Sequence, residues 1–235
     1  MSVRWRGEGG QDQGARPYQE DCWALRTLSD GALLAVVADG MGGHAGGAVA
    51  SKTVIDTFLK EVEGGRSLAE ALHKANEAVK AKAASDSKLT GMGSTLIAVR
   101  LKGDQVGWIS VGDSPLYQVF AGRIDRLNAD HSMAPQIDAL VSRGVITKEE
   151  GAAHPGRHTL REAVMGEPLT LIDEGSRRLV DGTTLLLCSD GVETLGRERI
   201  VAASKLSVRG LIDAVLGARS PHQDNITVIK LEQMS

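Results

Sequence analysis

The chain has 235 residues, 42% of them hydrophobic and 24% charged, with a formal net charge of −3. That is the composition of one globular domain spanning residues 1–235, with apolar material for a continuous core. No block of five or six like charges occurs, which excludes a nucleic-acid footprint and an acidic tail, and no apolar run approaches the ~18 residues of a membrane span.

Met1-Ser2-Val3-Arg4-Trp5-Arg6-Gly7-Glu8 has no apolar stretch after its positive charges and does not read as a secretory signal. The pattern then gives strands over Cys22 to Leu28 and Leu33 to Ala38, joined through Ser29-Asp30-Gly31. Beyond the glycines between Gly40 and Gly47, the apolar residues Val54, Ile55, Phe58, Leu59 and Val62 recur at helical spacing up to Gly64-Gly65. A second helix carries Leu68, Leu72, Ala75 and Val79, with Ser67 as N-cap and Glu70 completing a capping box. The middle third predicts strands over Ser94 to Leu101, Gln105 to Val111, Leu116 to Phe120 and Arg123 to Leu127, with tight turns that make neighbours antiparallel. From Ala129 to about Gly166 the chain is polar and loop-rich, with short helical patterns at Met133 to Val141 and Lys148 to Ala153. Strands at Ser176 to Val180 and Thr183 to Ser189, helices at Glu198 to Ala203 and Val208 to Leu216, and a last strand at Asn225 to Leu231 complete the chain. The expected fold is α+β: two stacked, mainly antiparallel sheets flanked by helices, layered α-β-β-α. Cys22 and Cys188, the only cysteines, each lie in or beside a strand, which favours two buried reduced thiols and a cytoplasmic protein.

Two strands, Leu33 to Ala38 and Leu185 to Ser189, each end in an Asp-Gly pair, Asp39-Gly40 and Asp190-Gly191. A lone Asp-Gly is far more often a turn than a ligand, and Asp30-Gly31 and Asp181-Gly182 are read as turns. Asp39 and Asp190 differ because the strands before them are continuously apolar and no return strand begins after them. A third strand ends in Gly112-Asp113, and the last follows Asp224-Asn225. Gathering ionised carboxylates costs energy, since like charges ~4 Å apart repel by about 4 kcal/mol at an effective dielectric near 20. A cation must offset this, and an all-oxygen set suits Mg²⁺ or Mn²⁺ where no CxxC or HExxH spacing offers zinc a site. Two such ions sharing a carboxylate activate a water and stabilise a phosphoryl group, so hydrolysis of a phosphate ester fits. Arg16, just before the first predicted strand, offers a guanidinium that grips two phosphate oxygens, and Glu20 and Asp21 could reach a second ion.

Arg16-x-x-x-Glu20-Asp21, Asp39-Gly40-Met41-Gly42-Gly43-His44, Gly93-Ser94-Thr95, Gly112-Asp113-Ser114, Asp130-His131-Ser132, Ser189-Asp190-Gly191 and Asp224-Asn225-Ile226-Thr227 stand in order along nearly the whole chain. This array resembles the metal-dependent serine/threonine protein phosphatases of type 2C, in their bacterial form. The resemblance implies a β-sandwich between helices, with Asp39, Asp190 and Asp224 on a first metal and Asp39 with the Gly40 carbonyl on a second. Glu20 or Asp21 would stand nearby, and Asp113 with Asp190 would hold a third ion. It further implies direct attack by a water bridging Mn²⁺ or Mg²⁺ ions, phosphorylated protein substrates, a serine/threonine kinase as counterpart, and a flap over about residues 132–153. Three positions depart from the pattern: Met41 stands where animal relatives carry His, Pro115 where Arg is usual, and His158 where Asn is common. His44 is either a catalytic group or a helix-start residue.

Two rivals remain at this point. Gly40-Met41-Gly42-Gly43-His44-Ala45 formally matches a dinucleotide fingerprint, although the helix after it leads to another helix rather than to a parallel strand. The other is a non-catalytic phosphoprotein-binding module on the same scaffold.

Overall fold

The computed structural model describes residues 4–42 and 45–234, and its layers follow from strand β3 (Leu33–Ala38), which is apolar on both faces. Successive side chains of a strand point to opposite faces. Leu34, Val36 and Ala38 join a cluster with helices α1 (Ala45–Glu63) and α2 (Leu68–Ser85), whereas Ala35 and Val37 join one shared between two sheets. The first sheet runs β10 (Asp173–Arg178), β7 (Gln105–Val111), β6 (Leu96–Lys102), β3, β2 (Cys22–Thr27). The second runs β1 (Arg4–Asp12), β12 (Ile226–Met234), β11 (Thr184–Cys188), β8 (Leu116–Phe120), β9 (Arg123–Arg126). Leu116, Leu185, Leu187, Ile229 and Leu231 of the second sheet complete the inter-sheet core. On its outer face Leu186, Cys188 and Val228 pack against Ile200 of α5 (Arg197–Ala203) and Leu211 and Val215 of α6 (Val208–Leu216). The α-β-β-α order is therefore the one expected.

Every neighbouring strand pair is antiparallel. The helix after Gly40-Met41 runs into α2, so no parallel strand-helix-strand unit among the described residues supports the dinucleotide reading.

Three differences from the sequence reading have packing causes. Strand β1 carries no strand signature because three of its nine residues are glycines, two of which make room for the other sheet. A Cβ on Gly9 would lie 2.4 Å from the Trp23 ring and one on Gly7 2.6 Å from Leu25 Cδ2. Strand β10 starts and ends earlier than expected because its register is set by β7, from Asp173 opposite Ser110 to Arg178 opposite Gln105. Ser94, expected to begin β6, instead joins Gly93 in β5 (Gly93–Ser94) against β4 (Gly40–Met41). Cys22 is half-buried rather than buried, and both thiols are free.

Helices α3 (Ala134–Ser142) and α4 (Lys148–Ala152) make up the expected flap segment. Arg157 clamps it with two bonds to Asp138 at 2.7 and 3.1 Å, and Ser132 bridges Leu160. Among the described residues no helix is long and apolar enough to cross a membrane.

The capping box of α2 is present as expected: Glu70 N donates to Ser67 Oγ and Ser67 N to Glu70 Oε2, at 3.2 and 2.9 Å. Ser67→Ala is expected to lower unfolding free energy by about 1 kcal/mol in urea titrations. Activity should stay unchanged, because Ser67 lies beside Thr27 and Leu28, at the end of β2 remote from Asp39.

Candidate metal centre

Antiparallel register brings the predicted acids to one end of the sandwich. Cys22 pairs with Ala38, so Asp21 enters β2 beside the end of β3 where Asp39 stands. Val37 pairs with Ile97 and Leu96 with Val111, which carries the Gly112-Asp113-Ser114-Pro115 crossover to the same end. In the second sheet Leu187 pairs with Leu116 and Cys188 with Val228, placing Asp190 and Asp224 there too. Glu20, Asp39, Asp113, Asp190 and Asp224 line one cavity of about 520 Å³, together with Arg16, Gly40 and His158.

Hydrogen bonds from groups outside the acid set fix these strand ends. Asp39 N donates to Thr95 Oγ1 at 3.0 Å, Thr95 N to Asp39 O at 2.8 Å, and Thr95 Oγ1 meets Ser114 Oγ at 2.7 Å. Asn128 receives Leu116 N and donates to Ser114 O, holding the crossover in which Pro115 stands. Arg126 donates to the Asp113 carbonyl, and Gly112 N to His131 Nδ1. Asn225 receives Glu20 N at 2.8 Å and donates to Gln13 O and Tyr18 O, lashing the loop that carries Arg16 to the start of β12. Gly40 admits no side chain: a Cβ there would lie 2.2 Å from Gly47 O and 2.5 Å from Glu20 O. Its carbonyl is thus left to act where a larger residue would crowd the site.

Among the described residues five carboxylates face one guanidinium across this cavity, and Asp39, Asp113 and Asp190 show the strain in their protonation. Burial, then the charges of Asp21, Asp190, Asp113 and Asp224, hold the Asp39 carboxyl well above the usual range. Burial with Asp113 and Asp224 pushes Asp190 up to about 8. Asp113 rises to about 6, through burial and the charge of Asp130. Arg16 is held protonated above its ordinary value, chiefly by its bond to Asp224, Nη2 to Oδ2 at 2.5 Å. Oxygen donors that repel one another and retain protons are a set that a hard divalent cation suits, since its charge removes both costs. Among the described residues no three acidic, His or Cys side chains already form a closed cage. The carboxylates line the cavity, and Asp224 is bonded to Arg16.

Of the residues singled out in the sequence, Arg16, Glu20, Asp39, Gly40, Asp113, Asp190 and Asp224 meet in the cavity, and Asp21 does not line it. Asp21 lies behind, buried, with Oδ2 accepting from Thr227 Oγ1 at 2.7 Å. Gly43 and His44 lie outside the described residues. Asp130 fixes its loop, accepting from Ser132 N at 2.8 Å. Thr95, Ser114, Asn128, Ser189 and Thr227 were not assigned roles from sequence. Their only signal is a place inside or beside the short motifs, since a buried hydroxyl or amide has no periodicity of its own.

The structure is thus an antiparallel sandwich with an acid-lined cavity at one end and an arginine at its mouth. The chain matches the Protein phosphatase 2C family over residues 8–223, and it belongs to that family. It is 35% identical over 214 residues to the serine/threonine protein phosphatase PstP of Mycobacterium tuberculosis, covering 85% of this chain and 40% of that protein. The chain thus spans well under half the length of PstP. To the serine/threonine phosphatase stp of Listeria welshimeri it is 30% identical over 248 residues, 99% of this chain and 96% of that one. The crystal structure of the PstP catalytic domain in complex with two manganese ions matches with a TM-score of 0.82 at 30% identity, over 100% of both chains.

A carboxyl whose folded pKa exceeds its unfolded value stabilises the fold below the unfolded pKa, and that stability is lost as pH rises through the folded one. With Asp190 raised from 3.8 to about 8, the melting temperature in EDTA is expected to fall between pH 5 and 8. Asp190→Asn should flatten the slope. Mn²⁺ must release these protons to bind, so the melting temperature it restores should be larger at pH 8 than at pH 6. A flat EDTA profile for the wild type in scanning calorimetry would count against the acid cluster.

Proposed function

We propose that residues 1–235 form one catalytic domain that hydrolyses phosphoserine and phosphothreonine monoesters in proteins, with Mn²⁺ or Mg²⁺ as cofactor. The convergence of five carboxylates and Arg16 on one cavity carries this reading, and membership of the phosphatase family supplies the reaction class. Asp39, the Gly40 carbonyl, Asp190 and Asp224 would hold two ions, with Glu20 beside them, and Asp113 with Asp190 would hold a third. When bound, these ions supply Lewis-acid polarisation of the phosphoryl oxygens and a water of lowered pKa.

The chain's own groups do the rest. Arg16, half-exposed at the mouth, binds the phosphate oxygens once its guanidinium leaves Asp224. Asp21, in the second rank, adds its charge to Asp39, so Asp39 becomes the stronger oxygen donor when cations enter. Thr95, Ser114 and Asn225 keep the strand ends from rotating away. Phosphoproteins made by a serine/threonine kinase are the substrates that fit, and the free thiols of Cys22 and Cys188 suit a reducing cytoplasm.

The test is hydrolysis of an aryl phosphate with Mn²⁺. Asp39→Asn and Asp190→Ala are each expected to lower kcat by more than the about 10–100-fold typical of residues one shell outside a metal. An inert wild type, or full Mn²⁺-dependent rate in the variants, overturns the proposal. Arg16→Ala should lower kcat/KM about 10–100-fold, the scale of charge-assisted hydrogen bonds. In isothermal titration it should bind Mn²⁺ no more weakly than the wild type, because Asp224 is freed.

A further inference from the structure

The catalytic cavity does not close at Met41. Met41 and Leu160 also line a second groove of about 510 Å³, whose other walls include Ala83 and Ala84 in the last turns of α2, and Met165. The two methionines share one seat: a Cβ on Gly93 would come within 2.9 Å of Met41 Cε and 2.6 Å of Met165 Cγ. Side by side over that glycine, they form an apolar floor leading away from the carboxylates. The wall carrying Met165 is held firmly. Ser94 and Val164 exchange backbone bonds at 3.1 and 2.8 Å. Asn76 of α2 receives Gly166 N and donates to Glu167 O, both at 2.7 Å. Met165 nevertheless stays 39% exposed.

A single exposed methionine is ordinary surface. Here two unbranched, adaptable thioether side chains on rigid backbone connect a groove to the reaction cavity, so whatever occupies the groove is continuous with what reacts. An extended peptide advances about 3.3–3.6 Å per residue. Because the groove shares Met41 and Leu160 with the reaction cavity, a peptide running from one into the other enters it with side chains a few positions from the phosphorylated one.

We propose that the groove receives an aliphatic side chain of the phosphoprotein, two or three residues from its phosphoserine or phosphothreonine, and that Met41, Met165 and Ala84 thereby set sequence preference. The proposal rests on the phosphatase reading above. Gly93 is part of the device, because any side chain there would lift both methionines off their seat.

The test uses phosphothreonine peptides in which one leucine is moved through the positions flanking the phosphothreonine, a serine-only control, and an aryl phosphate. On one side, leucine is expected to raise kcat/KM about tenfold, mainly through KM, the scale of a small apolar pocket. Ala84→Glu and Met165→Gln should each abolish that advantage and Met165→Leu should retain it, with aryl phosphate turnover unaltered in all three. Equal kcat/KM for every peptide with the wild type overturns the proposal, as does equal loss on leucine and control peptides in the variants. If the wild type hydrolyses neither peptide nor aryl phosphate, the phosphatase reading fails. Fluorescence-polarisation binding of the same peptides then decides the groove: leucine-dependent affinity lost in Met165→Gln supports it, and equal affinities overturn it.

Discussion

Repulsion among carboxylates delivered to one end of a β-sandwich is the constraint to which the rest of the molecule responds. Antiparallel pairing leaves little freedom: once Cys22 sits opposite Ala38 and Cys188 opposite Val228, Asp21, Asp39, Asp190 and Asp224 must arrive together. The inter-sheet core of Ala35, Val37, Leu185, Leu187 and Ile229 fixes that register, because a one-residue slip would turn every one of these side chains to the wrong face. Apolar packing therefore holds in place an arrangement that electrostatics alone would disperse.

The acids are kept close by neutral neighbours. Thr95 and Ser114 join the end of β3 to the crossover between sheets. Ser189 receives Thr227 N, and Thr227 in turn donates to Asp21. Each link spans two elements that both carry a carboxylate, so displacement of one acid is resisted through the backbone of another. Glycine serves the same closeness, since Gly191 leaves only 2.0 Å between a hypothetical Cβ and Asn225 O.

How much of this was legible in the sequence depended on whether a residue's role is local. Strand β3, the α2 capping box and the Asp39 and Asp190 strand endings were readable because apolar runs, N-caps and Asp-Gly pairs are short-range patterns. Strand β1 was not, because its glycines make sense only against Trp23 and Leu25 of the facing sheet. The cysteine pair was half-right: Cys188 lies inside the second sheet's outer cluster, while Cys22 sits on an edge strand and is only partly covered. Glu20 and Asp21, indistinguishable as adjacent acids, separate in three dimensions. One faces the cavity, and the other is buried against a hydroxyl 206 residues away.

Arg16 joins these threads. As a sequence feature it is a lone cation before a strand, and in the fold it is, among the described residues, the one guanidinium lining an acid-walled cavity. Its bond to Asp224 Oδ2 at 2.5 Å partly offsets the cluster's charge. On the proposed reading a divalent cation at Asp224 would take over that offset, and Arg16, whose loop Asn225 ties through Gln13 and Tyr18, would be released to meet another anion. Charged donors in that state favour an anion with paired oxygens. Arg16 and a metal would then compete for one carboxylate, and that competition would couple loading of the site to readiness for a phosphate.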